Sequence, residues 1–151
     1  MKELEDDRIH KMKQALEREV LINQNLFLIS AIYQYGYDIK SFLEMQQINR
    51  FVVYGLGKVG KAFLGLLETQ KDIEVLCAVD KNKNIKADGI KTVHTIEEIP
   101  RDIDAVIITS DFYFSDIVNS INKSLKTEEK IRCILLHDLI EGIALMPIPI
   151  K

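Results

Sequence analysis

Phe51-Val52-Val53-Tyr54-Gly55-Leu56-Gly57-Lys58-Val59-Gly60 is the run that decides the fold. Four β-prone residues without a polar alternate lead straight into glycines, and from Lys58 to Thr69 the apolar positions Val59, Ala62, Phe63, Leu66 and Leu67 return at helical spacing. That is strand, tight turn, helix. A strand with no polar face is covered on both sides, which is the habit of parallel sheets sandwiched between helices.

The pattern continues toward the C-terminus. Residues 73–79 read as a second strand ending at Asp80, followed by the polar loop Lys81-Asn82-Lys83-Asn84. Residues 90–93 read as a third strand, Thr95-Ile96-Glu97-Glu98 as a capping box, residues 104–109 as a fourth strand, 112–125 as a helix and 131–136 as a fifth strand. Residues 138–142 supply a last turn of helix, and Met146-Pro147-Ile148-Pro149-Ile150 an extended tail that its prolines confine to an edge or loop. Strands alternating with helices and joined by right-handed crossovers predict an α/β, Rossmann-like, parallel five-stranded sheet in the order 3-2-1-4-5.

Toward the N-terminus no strand is needed. Residues 4–32 read as an amphipathic helix with a stripe through Ile9, Met12, Leu16, Val20 and Leu21. Residues 26–33 are apolar all round, Gly36 is a C-cap, and Asp38 caps a short helix over 39–47. The division expected is a helical extension over 1–49 and a Rossmann-like nucleotide-binding domain over 50–151. The stripe must bury either on its own sheet or on another subunit, so a homo-oligomer or protein partner through the N-terminal helices is the expectation, with an intramolecular cap as its alternative.

Composition limits the rest. At 151 residues, 47% hydrophobic and 28% charged, the chain suits one ordinary globular core. A net charge of -3 gives no footprint for nucleic acid. The charged start Met1-Lys2-Glu3-Leu4-Glu5-Asp6-Asp7 is unlike a signal peptide, no run reaches the length of a membrane span, and Cys77 and Cys133 sit in strand-like runs as core residues. A cytoplasmic protein is expected.

The glycine turn carries the chemistry. In Gly55-x-Gly57-x-x-Gly60 the first glycine permits the turn, the second admits a pyrophosphate and the third lets helix and strand approach. Within Gly55, Leu56, Gly57, Lys58, Val59 and Gly60, phosphates would rest on the free N–H groups of the helix that begins near Lys58, with Lys58 and Lys61 adding positive charge nearby. Asp80 follows Gly60 by 80 − 60 = 20 residues, the spacing of an acid that accepts from a ribose; an acid there favours NAD over NADP, with Lys81 beside it working against that preference. The same glycines also suit a turn that merely packs. Across the crevice, Thr109-Ser110-Asp111-Phe112-Tyr113-Phe114 offers hydroxyls to a ligand, or a helix N-cap at Ser110 or Asp111. His137-Asp138 is a weak acid–base candidate. No metal-ligand spacing, GKS/T loop, GxSxG elbow or Tyr-x-x-x-Lys pair occurs, so no catalytic residue is assigned.

With these motifs, and with Val79-Asp80-Lys81-Asn82, Ile103-Asp104-Ala105-Val106-Ile107-Ile108-Thr109-Ser110 and Phe112-Tyr113-Phe114-Ser115-Asp116-Ile117, residues 50 to about 143 resemble the small Rossmann-like, NAD(P)-binding-type domains of bacterial surface-polysaccharide proteins. Such domains stand alone, accompany glycosyltransferases, or precede the catalytic parts of nucleotide-sugar dehydratases and sugar acyltransferases. The TrkA-type domains of potassium transport share the glycine loop and the acid, and match less well after the fourth strand. The resemblance implies a module that binds NAD or a nucleotide-sugar in carbohydrate metabolism without a catalytic domain of its own. A small enzyme completed across an oligomer interface, and an assembly protein with an idle cleft, are the competing expectations.

Overall fold

The computed structural model describes residues 1–125 and 130–147. Two helices come first, α1 (Lys2–Tyr35) and α2 (Ile39–Met45). The sheet region follows as β1 (Phe51–Tyr54), α3 (Lys58–Glu68), β2 (Val75–Val79), β3 (Thr92–Val93), β4 (Ala105–Ile108), α4 (Phe114–Leu125), β5 (Cys133–Leu135) and α5 (Leu136–Ala144), with a 3-10 turn at Ile96–Glu98. All strand pairs are parallel, in the order β3-β2-β1-β4-β5.

Both faces of the sheet are covered. Phe51 and Val53 of β1 point into one apolar layer with Ile107, α1, α2, α3 and α5, while Val52 and Tyr54 point into the other with Val106, Ile108, Ile121 and Leu125. This is why β1 and β4 carry no polar alternate: neither face meets water. Cys77 is buried and Cys133 half-buried, both as free thiols that burial pushes up, so they serve as core residues.

Local signals set the element ends. Gly36 closes α1 in the left-handed conformation at φ 69°. The Asp38 carboxylate accepts from the Ser41 N–H and hydroxyl at the start of α2, and Thr95 with Glu98 forms the reciprocal capping box. The Asp104 carboxylate accepts from the N–H groups of Asn49 and Arg50, fixing the entry to β1.

Several boundaries differ from the expectation. The final helix is longer, since Leu136 is its first residue and His137 lies in its first turn rather than on a strand exit. Leu136, Leu139, Ile140 and Ile143 bury a full apolar face there, and helical spacing overrides the strand-like run before it. The helix expected over 4–32 runs from Lys2 to Tyr35, with the apolar stretch 26–33 simply continuing it. The expected tail extends past Pro147 into residues 148–151, which lie outside the described ones.

The stripe on α1 is the largest departure. Ile29 and Ile32 bury against the body, but Ile9 is 51% exposed, Met12 70%, Leu16 66% and Val20 46%. Apolar residues on two opposite faces cannot both meet one sheet. The inner face won near the C-terminal end, where α3 and α5 lie beside the helix, and the outer stripe stays in solvent.

Candidate functional site

The site begins where β1 stops pairing. The Gly55 N–H still donates to the Val79 carbonyl, after which the chain turns with φ +104° at Gly55. A Cβ built on Gly55 would collide with Oγ1 of the buried Thr109, and one on Gly60 with the Gly55 carbonyl. Two of the three glycines thus answer to conformation and packing. Gly57 does not: its φ of -71° and ψ of -164° suit any residue, and an added Cβ would meet nothing within 4 Å. It faces open space at the N-terminus of α3, where it stands as N-cap without a side-chain cap. Among the described residues no acceptor is found for the N–H groups of Lys58, Val59 and Gly60, the orphan donors every helix start leaves.

Asp80 ends β2 beside this turn. One carboxylate oxygen accepts from the Leu56 N–H at 2.8 Å and the other from the Asn82 N–H at 2.8 Å. The imidazole Nδ1 of His94 lies 2.9 Å from the Asp80 carbonyl, which steadies the residue from β3's side. Asp80 therefore shapes the glycine turn, and each oxygen keeps a lone pair for a further donor. It borders a hollow of about 500 Å³ with Lys81, Tyr113, Ile117 and Ser120. Tyr54 forms part of the floor, its phenol pushed up by burial and then by the neighbouring Asp80 charge.

The predicted residues divide by role. Gly57, Lys58, Val59 and Gly60 present backbone to the cleft, and Asp80 with Lys81 lines the adjoining hollow. Leu56 puts its side chain in the core and its N–H on Asp80. Thr109 is buried, with its hydroxyl 3.2 Å from the Tyr54 carbonyl and 3.0 Å from that of Gly55, so it braces the turn from β4. Ser110 lies four residues before the first residue of α4, so it is not the helix N-cap; its hydroxyl accepts from the Tyr113 N–H at 3.2 Å and closes the turn that leads into the helix. His137 and Asp138 do not act as a pair, since His137 is engaged elsewhere.

A second half of the site was not visible in local sequence. α1 lies over the ends of β4 and β5, where the side-chain amide of the buried Asn25 donates to the Asp111 carboxylate at 3.0 Å and its oxygen lies 2.7 Å from His137 Nδ1. His137 Nε2 is 3.0 Å from Glu141. When the imidazole carries both protons it donates to both neighbours, and the chain Asp111, Asn25, His137, Glu141 is satisfied throughout. Arg18 stacks above Phe112, its guanidinium 4.6 Å from the ring centre. Arg18, Ile22 and Asn25 leave only about 190 Å³ between α1 and the glycine turn.

A parallel sheet whose first strand runs through a glycine turn into a helix, with an acid closing the second strand, defines a Rossmann-like α/β domain. Residues 47–132, more than half of the chain, match the profile of the family described as C2185-like, N-terminal, and the chain belongs to that family. The matched span begins at the turn before β1 and ends just before β5. No curated protein and no solved structure matches the chain.

Proposed function

We propose that this chain is a nucleotide-binding module. The observation that carries the reading is Gly57: neither its backbone angles nor its neighbours require glycine, yet it lines the cleft with Lys58, Val59 and Gly60, whose N–H groups have no acceptor among the described residues. An anion is what such a cradle receives. The neighbouring hollow at Asp80 supports a ribose there, its hydroxyls donating to the carboxylate, with the base toward Tyr113 and Ile117.

The two halves of the cleft favour different ligands. The half toward β2 is open. The half over β4 and β5, where the second nucleotide of NAD would run, holds α1 and falls below the roughly 300 Å³ at which ligand pockets begin. A nucleotide-sugar or a single nucleoside phosphate, its base and ribose at Asp80, fits this arrangement better than NAD, which needs α1 displaced. A role in bacterial polysaccharide or sugar metabolism follows the resemblance of the glycine turn and of residues 103–117, and belongs to the same proposal.

Isothermal titration with NAD, NADP, UDP-sugars and coenzyme A tests it. Saturable binding by a nucleotide-sugar, stronger than by NAD, is the expected result. No heat from any of the four would remove the reading and leave a scaffold.

A further inference from the structure

We infer that the outer face of α1 is an interface for a second copy of this chain, joined as an antiparallel helix pair. At about 100° per residue, Ile9, Met12, Leu16, Val20 and Phe27 fall within an arc of roughly 80°. The inward residues Asn25, Ile29 and Ile32 lie about 180° away, so the stripe faces away from the sheet that those residues cover. All five stripe residues are exposed, Phe27 at 72%.

The spacing is regular. Positions 9, 12, 16, 20, 23 and 27 repeat after 20 − 9 = 11, 23 − 12 = 11 and 27 − 16 = 11 residues, the period of paired helices wound with a right-handed supercoil. Such a seam fits another long helix better than a globular surface. Up to Phe27 only Lys2, Glu5 and Asn23 interrupt it with polar groups.

Charge complementarity selects the partner and its direction. With two copies antiparallel and Met12 facing Leu16 of the second copy, residue numbers facing one another sum to about 28. Ile9 then meets Val20 and Glu5 meets Asn23, and only Lys2, near Phe27, sets a polar residue against an apolar one. On the flanks Arg8 approaches Glu19 of the second copy and Lys13 approaches Glu17, each pair occurring twice by symmetry. A parallel pair in register would set Arg8 against Lys13 twice. The antiparallel register also lays the first turn of the second copy along a groove of about 620 Å³ between Val20, Phe27 and His137.

Sedimentation equilibrium of the full chain without nucleotide tests this independently of the proposed ligand. The expected mass is twice 17.4 kDa. Leu16→Glu, exposed in the single chain and therefore expected to keep its helical circular dichroism, should weaken association on the order of 100-fold by placing two carboxylates in the seam. Arg8→Glu should weaken it too, and Arg8→Glu with Glu19→Arg should restore it. A wild-type monomer at high micromolar concentration, a dimer indifferent to Leu16→Glu, or tightening by Arg8→Glu alone, as a parallel pair requires, would each overturn the inference.

Discussion

Replacing Gly60 by alanine forces a methyl group into the Gly55 carbonyl, and replacing Gly55 puts one against the Thr109 hydroxyl at a φ that side chains avoid. Each change should cost about 3 kcal/mol in urea unfolding. Gly57→Ala meets nothing and should stay within about 0.5 kcal/mol of wild type while lowering nucleotide affinity tenfold or more. Equal stability losses at all three positions would show that Gly57 too is needed by the fold. The glycines and Asp80 were legible in sequence because their geometry is local: the turn spans six residues and the acid ends the next strand. Arg18 and Asn25 were not, and Asp111 was legible only as a possible N-cap. A buried asparagine in mid-helix looks unfavourable until its partners, 86 and 112 residues away in sequence, are in place.

At the scale of elements, α1 is held down by that amide together with Ile29 and Ile32. Asn25→Ala leaves Asp111 and His137 without their shared partner, which should cost about 2 kcal/mol. Amide exchange across residues 21–35 should quicken. The same variant should bind NAD more tightly than wild type does, since α1 then yields the second half of the cleft at less expense. Unchanged exchange would mean that apolar packing alone fixes the helix. The strand order was readable from β1 and β4, which are apolar on both faces and so must lie inside the sheet. The direction of the α1 stripe was not readable, because a helix with apolar residues on two sides does not announce which side its own body occupies.

For the whole molecule, acid should be the weak flank. Three carboxylates lie below their ordinary range: Asp38 through the Ser41 hydroxyl and N–H, Glu98 through the Thr95 hydroxyl, and Asp104 through the Arg50 and Asn49 N–H groups. A group whose folded pKa is depressed contributes stability above its unfolded pKa and loses it as pH falls through the folded value. Urea midpoints should therefore hold steady down to about pH 5 and decline below about pH 4. Asp104→Asn should flatten part of that decline, and an unchanged slope would mean that its hold on β1 contributes nothing to stability.

The 34 residues of α1 run about 50 Å, and Ile9 stands roughly 24 Å along the axis from the anchor at Asn25. A boom tethered near one end sets both reach and heading. Whatever grips the far end is carried at a fixed distance from the glycine turn, and swinging the boom would move cargo and uncover the cleft in the same stroke.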